Sequence, residues 1–184
     1  MPYHLFDTAF GTCAIAWSEA GLTRVQLPEP TRAETEARIR RAGIEPSGMP
    51  LPAFATEAVS ALQMYLAGTA VTLETLRLDE TFVSTFNASI YRALRAVPRG
   101  TTVTYGDLAK QVGQPGAARA VGMAMGRNPW PVIVPCHRVL ASGNKMGGFS
   151  APGGTATKEK LLGLEGVAVG DPVLPGLFDQ PAAS

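Results

Sequence analysis

The chain has 184 residues and a formal net charge of +1, and 46% of its residues are hydrophobic. This length fits one ordinary domain or two small ones, and this apolar content excludes a globally disordered chain. The sequence has no run of about eighteen apolar residues and no N-terminal signal-peptide pattern, so we expect a cytoplasmic protein without a membrane-spanning helix.

Charge is distributed unevenly along the chain. Residues 1–85 hold six Lys/Arg and ten Asp/Glu, a local charge of −4, whereas residues 86–166 hold ten Lys/Arg and three Asp/Glu, a local charge of +7. A basic half suggests a polyanionic partner such as nucleic acid. A chance excess of cations on a solvated surface would give the same numbers, so charge alone leaves both explanations open.

The N-terminal stretch predicts three strands and a surface helix. The segments YHLFDT, CAIAWS and LTRVQL are short and apolar-rich, and turn sequences separate them. The charged segment TRAETEARIRRAG predicts a helix with Thr31 as its N-cap and Gly43 as its stop.

A more apolar helix and a further strand complete this half. In AFATEAVSALQMYLAG an apolar residue recurs every four positions, at Phe54, Ala58, Leu62 and Leu66. The alternating segment VTLETLRL predicts a strand. We therefore interpret residues 1–82 as an N-terminal α/β domain.

The second half is predicted to be mainly helical. STFNASIYRALRAV carries one apolar stripe, and TYGDLAKQVG places Thr104 and Asp107 in a variant of the capping box. QPG then leads into the short helix AARAVGMAMGRN, and two short helices joined by such a turn are typical of a helix-turn-helix. WPVIVPCHRVLASGNKMGGF predicts two short strands around a glycine-rich tip, as in a wing, and TATKEKLLGLEG predicts a last helix. We assign these elements to a domain over 83–166 and expect a loosely held tail over 167–184.

The second of these two short helices is unusual for a protein that reads base sequence. Arg119 is its only charge before Arg127, and small residues such as Ala120 and Gly122 surround it. Helices that read the major groove bring Arg, Asn or Gln to base edges. Small side chains instead allow close approach, and one arginine can act as a wedge or a phosphate anchor. This pattern favours sequence-neutral binding in the minor groove over a winged-helix regulator.

The segment PVIVPCHRVL places a cysteine, a histidine and an arginine directly after an apolar run. A lone buried cysteine is more often an inert small hydrophobe than a nucleophile. Here we expect Pro135 to hold the backbone before Cys136 stiff and extended, and the neighbouring His137 and Arg138 favour the thiolate. Because adjacent residues on a strand point to opposite faces, contact between Cys136 and His137 would need a bridging water or a turn.

The remaining cysteine and histidine indicate no metal site. Two cysteines cannot make a disulfide framework, and Cys13 lies in a predicted strand, where we interpret it as core filler. Together with His4 the cysteines and histidines form no CxxC or HxxxH pair. We therefore predict no metal and no other cofactor.

The segment RAVGMAMGRNPWPVIVPCHRVL, with TYGDLA before it and TKEKLLGLEG after it, resembles the methylated-DNA–protein-cysteine methyltransferases, the O6-alkylguanine-DNA alkyltransferases. The likeness covers about residues 86–166, and the first 85 residues match in layout only. It implies a ribonuclease H-like α/β domain followed by a winged helix-turn-helix-like catalytic domain. It also implies direct repair of O6-methylguanine, and of O4-methylthymine, in duplex DNA. The base would be flipped through the minor groove, and the alkyl group transferred once and irreversibly.

The resemblance also implies roles for single residues. Cys136 would accept the alkyl group, His137 would act on it through a water, and Glu165 would orient His137. Asn128 would hold the active-site turn, and Tyr105 would contact the flipped nucleotide and help to neutralise the leaving guanine.

Further residues would contact the DNA or line the base pocket. Arg119 would enter the duplex and fill the gap left by the extruded base, and we place Ala120 and Gly122 on the same DNA-facing surface. Val139 and Ser150 would line the guanine pocket with their backbone, and we place Pro135 beside it.

Structural alternatives to these roles stay open. Tyr105 can be a half-buried aromatic, Arg119 a surface phosphate contact and Glu165 a helix end, although a negative charge is unfavourable there. Non-enzymatic alkyltransferase-like proteins lack the cysteine, and thiol hydrolases usually place nucleophile and base far apart in sequence. We therefore expect an alkyl-accepting monomer whose partner is double-stranded DNA containing O6-alkylguanine, and we leave cooperative binding along DNA open.

One departure from the family pattern concerns the loop after Ser150. Many members continue from this serine into a glycine pair, whereas this chain inserts Ala151 and Pro152 first. The longer loop leaves open which alkyl groups fit and whether Ser150 keeps its contact.

Overall fold

The computed structural model describes residues 1–41 and 43–168, and its N-terminal part is built on a four-stranded sheet. The three predicted strands are present and form an antiparallel meander, and a short fourth strand pairs in parallel with the first. The sheet order is β3-β2-β1-β4, with β1 at Pro2–Thr8, β2 at Gly11–Trp17, β3 at Leu22–Gln26 and β4 at Glu45–Pro46.

Two helices accompany this sheet, as the sequence predicts. Helix α1 spans Arg32–Arg40, and the side chain of its N-cap Thr31 accepts a hydrogen bond from the backbone N–H of Glu34. Helix α2 spans Ala53–Leu66 and buries one apolar face. This α2 is important for the site described below, because its last turn points toward the second domain.

The strand predicted for VTLETLRL is wrong. Residues 71–78 form turns, and they pair with the sheet only through an isolated bridge between Leu22 and Leu78. Leu73 and Leu76 are both buried and the N–H of Leu76 bonds the carbonyl of Leu73, so the segment follows a turn spacing rather than a strand spacing. The guanidinium of Arg95 satisfies the carbonyls of this turn that a neighbouring strand would otherwise bond.

The second half is mainly helical, in agreement with the prediction. The helices are α3 at Thr85–Arg95, α4 at Tyr105–Gln111, α5 at Ala118–Gly126 and α6 at Gly154–Leu164. A capping interaction starts α4: the Thr104 side chain accepts from the N–H of Asp107 and donates to its carboxylate at 2.6 Å. Helices α4 and α5 pack against each other as the predicted helix pair.

The predicted wing differs from the structure. Only Val139–Leu140 forms a strand, β6, and it pairs in parallel with β5 at Val103–Thr104 rather than with a second strand of a hairpin. The glycine-rich tip closes through one bridge between Ala141 and Lys145. The segment that precedes β6, residues 130–138, forms turns instead of a strand, because its backbone N–H and C=O groups bond one another within the segment.

The two halves share one apolar core. The indole N–H of Trp130 donates to the carbonyl of Leu22 at 2.8 Å, and the N–H of Val25 donates to the carbonyl of Pro129 at 2.8 Å. Strand β3 therefore rests directly against the segment that leads to Cys136. Within the described ranges no helix is long and apolar enough to cross a membrane. Most of the tail predicted to be loosely held, residues 169–184, lies outside the described residues.

Candidate active site

A tight turn before Cys136 shapes the site. The N–H of Val134 bonds the carbonyl of Trp130 at 2.8 Å, and Val132 adopts a φ of 76°. This left-handed conformation is costly for a β-branched residue, so other contacts must hold it. Asn128 supplies two of them: its amide donates to the carbonyl of Val134 at 2.8 Å, and its carbonyl accepts from the N–H of Trp130 at 2.9 Å.

Pro135 then reverses the chain once more. Its φ of −79° and ψ of 66° form an inverse γ-turn, in which the N–H of Cys136 bonds the carbonyl of Val134. A single 3₁₀ turn over Cys136–Arg138 follows. Our prediction of a stiff, extended backbone before the cysteine is therefore wrong, because Pro135 acts through a turn. The turn after Cys136, one of the two possibilities that the sequence left open, is present.

Cys136 is buried, with 7% of its surface exposed. Burial raises the pKa of its thiol, and the hydrogen bond from the Asn128 side chain and the positive charge of Lys158 offset this only in part. Burial therefore outweighs the neighbouring groups that favour the thiolate, and the thiol keeps its proton in the resting protein. A base must take the proton when Cys136 reacts.

His137 and Glu165 form a fully buried pair behind the thiol. The Nε2 atom of His137 lies 3.0 Å from Oε1 of Glu165. Burial lowers the pKa of His137, and the Glu165 carboxylate opposes this change. Its Nδ1 atom is buried and has no hydrogen-bond partner within the part of the chain that the structure describes, including Cys136. The imidazole is therefore neutral, with one ring nitrogen free to accept a proton.

Glu165 sits at the centre of a dense network. Arg138 donates to both carboxylate oxygens at 2.8–3.1 Å, and the N–H of Gly100 donates to Oε2 at 3.2 Å. The hydroxyl of Tyr65, from α2 of the first domain, donates to Oε1. Although burial acts in the opposite direction, hydrogen bonds from His137 and Arg138 hold the pKa of Glu165 far below its usual range. The carboxylate therefore stays ionised.

A cavity of about 290 Å³ opens beside Cys136. Tyr105, the first residue of α4, lies half-buried at its wall, and burial raises the pKa of its phenol, which therefore keeps its proton. The ring lies so close to the loop backbone that a Cβ added at Gly147 would be 2.9 Å from its hydroxyl. The cavity is lined by Tyr105, Gly122, Met125, Gly126, Cys136, Gly148, Phe149 and Ser150.

The inserted Ala151 and Pro152 form a turn that leads into α6. The carbonyl of Ala151 accepts from the N–H of Gly154, and the carbonyl of Pro152 accepts from the Thr157 hydroxyl at 2.8 Å. Ser150 still borders the cavity. Ala151 and Pro152 do not line this cavity, but they line a second one, of about 200 Å³, that Cys136 and Ser150 also border.

The predicted DNA-contacting residues lie near the start of α5. Arg119 is exposed, whereas Ala120 and Gly122 are half-buried. Gly122 borders the cavity together with Met125 and Gly126 of the same helix, and its Cα lies beside the Tyr105 ring. Arg119 and Ala120 do not line the cavity.

The structure does not bring every predicted pocket residue to the cavity. Val139 is fully buried and does not line it, and its carbonyl accepts from Nζ of Lys158 at 2.6 Å. Pro135 forms part of the turn before Cys136 and does not line the cavity.

Two site residues were missed by the sequence reasoning. Tyr65 and Lys158 each lie in a segment whose residues predict a helix. Nothing in either segment indicates that the polar group of these side chains is buried. Lys158 is 0% exposed, which is rare for a lysine, and burial lowers the pKa of its ammonium. Its charge lies near Cys136, where it favours the thiolate.

No group of three or more His, Cys, Asp or Glu in the described ranges could hold a metal ion. Cys13 is buried in the sheet of the first domain, where burial raises the pKa of its thiol to about 12. It has no part in the site at Cys136.

Known proteins resemble both halves of the chain. The family model described as 6-O-methylguanine DNA methyltransferase, DNA binding domain, matches residues 85–167, and the model of the ribonuclease-like domain of the same proteins matches residues 1–80. A methylated-DNA–protein-cysteine methyltransferase of Methanosarcina acetivorans is 35% identical over 90% of this chain and 99% of its own length. The protein of that name from Mus musculus is 34% identical over 96% of this chain and 87% of its own length.

Solved structures agree. The crystal structure of Mycobacterium tuberculosis OGT in complex with DNA matches with a TM-score of 0.73 at 36% identity, covering 90% of this chain and 92% of that one. The O6-methylguanine-DNA methyltransferase of Pyrococcus kodakaraensis matches with a TM-score of 0.68 at 28% identity, covering 90% and 99%. The likeness seen at PCHRV is thus confirmed over both domains, and the chain belongs to the methylated-DNA–protein-cysteine methyltransferase family.

Proposed function

We propose that this protein repairs O6-alkylguanine, and O4-methylthymine, in duplex DNA by moving the alkyl group onto Cys136. The sulfur attacks the methyl carbon, a C–S bond forms, and the bond from that carbon to guanine O6 breaks. The products are an unmodified guanine and a thioether. Neither water nor cellular thiols readily reverse a thioether, so each molecule acts once.

The observation that carries this proposal is the arrangement around Cys136. A buried cysteine borders a cavity, and a neutral histidine paired with an ionised glutamate stands behind it. Because burial raises the pKa of the thiol, a base must remove its proton during the reaction. We assign this task to Nδ1 of His137, with a water relaying the proton, and we assign Asn128 to holding the turn.

The leaving guanine needs help, because negative charge develops on it as the C–O bond breaks. The Tyr105 phenol borders the same cavity and keeps its proton, so it can donate to the base as this charge appears. Tyr105 thereby acts as the acid while His137 acts as the base.

The alkyl group on guanine O6 points into the base pair, so the nucleotide must first be rotated out of the helix. We propose that α5 lies in the minor groove with Ala120 and Gly122 against the DNA. Arg119 then fills the gap left by the base, which offsets part of the cost of unstacking.

Three broader statements belong to this proposal. The chain is divided into domains at 1–82 and 83–166, it acts as a monomer in the cytoplasm, and it needs no cofactor for the transfer. A second function is not favoured, because alkyltransferase-like binding proteins lack a cysteine at this position.

Intact mass tests the proposal. We expect wild-type protein incubated with a duplex containing one O6-methylguanine to gain the mass of one methyl group at Cys136, and never a second one. Cys136→Ser should gain none, whereas Cys13→Ser should gain the same single methyl. A wild-type protein that stays unmodified would refute the alkyl-transfer function.

A further inference from the structure

Tyr65 of the first domain reaches into the acceptor site of the second. It lies on the last turn of α2, is 1% exposed, and donates from its hydroxyl to Oε1 of Glu165. The same hydroxyl oxygen lies 3.0 Å from Nε2 of His137. A residue outside the DNA binding domain therefore contacts both members of the buried pair.

The tyrosine ring is held in place by its surroundings. The guanidinium of Arg99 lies 5.3 Å from the centre of the Tyr65 ring. Arg99 also donates to the carbonyls of Gly68 and Thr69, just after α2, and to the carbonyl of Leu164 at the end of α6. One arginine thus joins the ends of α2 and α6, so the hydroxyl of Tyr65 stays directed at the residue that follows α6.

The protons of this cluster can be assigned one by one. Glu165 is ionised and only accepts hydrogen bonds. Tyr65 has a single hydroxyl proton, which it donates to Glu165, so its oxygen can only accept from His137. Both neighbours of Nε2 are therefore acceptors, which places the ring proton of neutral His137 on Nε2 and leaves Nδ1 without one.

We propose that Tyr65 is a positioning residue for the alkyl transfer: it keeps His137 neutral, in the tautomer with Nδ1 unprotonated. This role rests on the proposed function of the Cys136 site. Tyr65 does not touch the thiol or the cavity, and it acts only through Glu165 and His137.

The hydroxyl balances the charges around the imidazole. Glu165 favours the protonated imidazolium, whereas Arg138 in the 3₁₀ turn and Lys158 of α6 disfavour it. Arg99 lies beyond the Tyr65 ring, and the Cys136 thiol is neutral at rest. By donating to Glu165, Tyr65 withdraws negative charge from the oxygen that faces His137. Without this donor, the carboxylate would attract a second proton onto the ring and raise the pKa of His137.

The test is Tyr65→Phe, which removes the hydroxyl and keeps the ring. The chain has two histidines, so ¹⁵N NMR of the rings gives two sets of signals, and His4→Gln assigns them. We expect wild-type His137 to show the Nε2–H tautomer near neutral pH. In Tyr65→Phe the pKa of His137 should rise, and the acidic limb of the transfer rate against pH should move to higher pH. A rise of one pH unit lowers the rate on that limb by about tenfold.

Tyr3→Phe is the matched control. Tyr3 is also a buried tyrosine of the first domain, and its hydroxyl donates to a carboxylate, that of Glu36, at 2.5 Å. This variant should leave the His137 signals and the pH profile unchanged. If Tyr65→Phe likewise changes only the melting temperature, or slows transfer equally at every pH, Tyr65 is structural and the proposal is overturned.

A second variant and a readout that does not depend on activity keep the test decisive. If Tyr65→Phe does not fold, 3,5-difluorotyrosine at position 65 provides a stronger donor, and the pKa of His137 should then fall. An unchanged pKa would overturn the proposal. If wild-type protein accepts no methyl group from O6-methylguanine DNA, the proposed function fails, but the NMR comparison still decides whether Tyr65 sets the His137 tautomer.

Discussion

Gly147 fixes the position of Tyr105 because it has no side chain. A Cβ at this position would lie 2.9 Å from the Tyr105 hydroxyl, closer than Cβ atoms come to their neighbours, and 3.1 Å from a ring carbon, which is tighter than most Cβ contacts. Gly147→Ala must therefore displace the ring. Since a displacement of about 1 Å in a site can cost a hundredfold in rate, we expect alkyl transfer to slow by about ten- to a hundredfold. Single-turnover transfer to a labelled duplex measures this.

The neighbouring glycine provides the comparison. Gly148 also borders the cavity, but a Cβ there would meet no atom within 4 Å. Gly148→Ala should therefore slow transfer much less than Gly147→Ala, and both variants should melt within a few degrees of the wild type. Equal rates for the two variants would show that the position of the Tyr105 hydroxyl does not limit the reaction.

The residues of the site differ in how well the sequence alone predicts their role. Cys136, His137 and Asn128 lie in one continuous segment, RNPWPVIVPCH, so a single local motif contains all three. Glu165 lies far along the chain but ends a recognisable segment. Tyr65 is 72 positions from His137, and only the packing of α2 against the second domain joins them. No local pattern encodes such a contact, which is why sequence reasoning missed it.

At the scale of elements, α5 presents one exposed cation on a surface of small residues. Arg119 is exposed at the start of this helix, while Ala120 and Gly122 beside it are half-buried. If Arg119 replaces the flipped base, Arg119→Ala should slow repair of a duplex by about tenfold or more, the loss of a contact of roughly 1.4 kcal/mol. Reaction with free O6-methylguanine, which needs no flipping, should hardly change.

Arg32→Ala controls for the loss of positive charge. Arg32 is an exposed arginine of α1 that pairs with Asp7 on the first domain. Its removal should slow neither reaction appreciably. If Arg119→Ala slows reaction with the free base as much as repair of the duplex, Arg119 has no role in extruding the nucleotide.

The elements that the sequence predicted correctly are those with local signals. Helices α1 and α4 begin at side-chain caps, at Thr31 and Thr104, that the residues themselves encode. In the segment 71–78 apolar and polar residues alternate as in a strand, which led to a wrong prediction. Arg95 from a distant helix bonds the carbonyls of this segment, so they need no neighbouring strand. The predicted hairpin of the wing is wrong for a similar reason, because Val139–Leu140 pairs with β5 and not with a strand in the following loop.

At the scale of the whole molecule, Glu165 joins both domains. Its carboxylate accepts from Tyr65 in α2, from Arg138 in the 3₁₀ turn and from the N–H of Gly100 before β5. Arg138 is buried with its side chain 7% exposed, and this carboxylate is the counter-charge of its guanidinium. The carboxylate that pairs with His137 therefore also contributes to the stability of the interface between the domains.

This dual role predicts a specific dependence of stability on pH. The folded-state pKa of Glu165 is held below its ordinary value of 4.5, so the protein gains stability from its ionised form above that pH. This contribution is lost as pH falls through about 4.5 toward the folded-state pKa, because the unfolded chain then binds the proton first. Glu165→Gln cannot ionise and leaves Arg138 without its partner. We expect it to be less stable than the wild type by about 3 to 5 kcal/mol near neutral pH, with the gap narrowing steadily in acid.

Urea unfolding from about pH 7 down to about pH 3 measures the gap between the two proteins. Glu159→Gln, which removes an exposed carboxylate from the preceding helix α6, should follow the wild-type curve within about 0.5 kcal/mol throughout. A gap between Glu165→Gln and wild type that stays constant over this range would show that the shape of the side chain stabilises the domain contact. A narrowing gap assigns that stability to the buried charge, because only the ionised carboxylate can lose its advantage as protons are added.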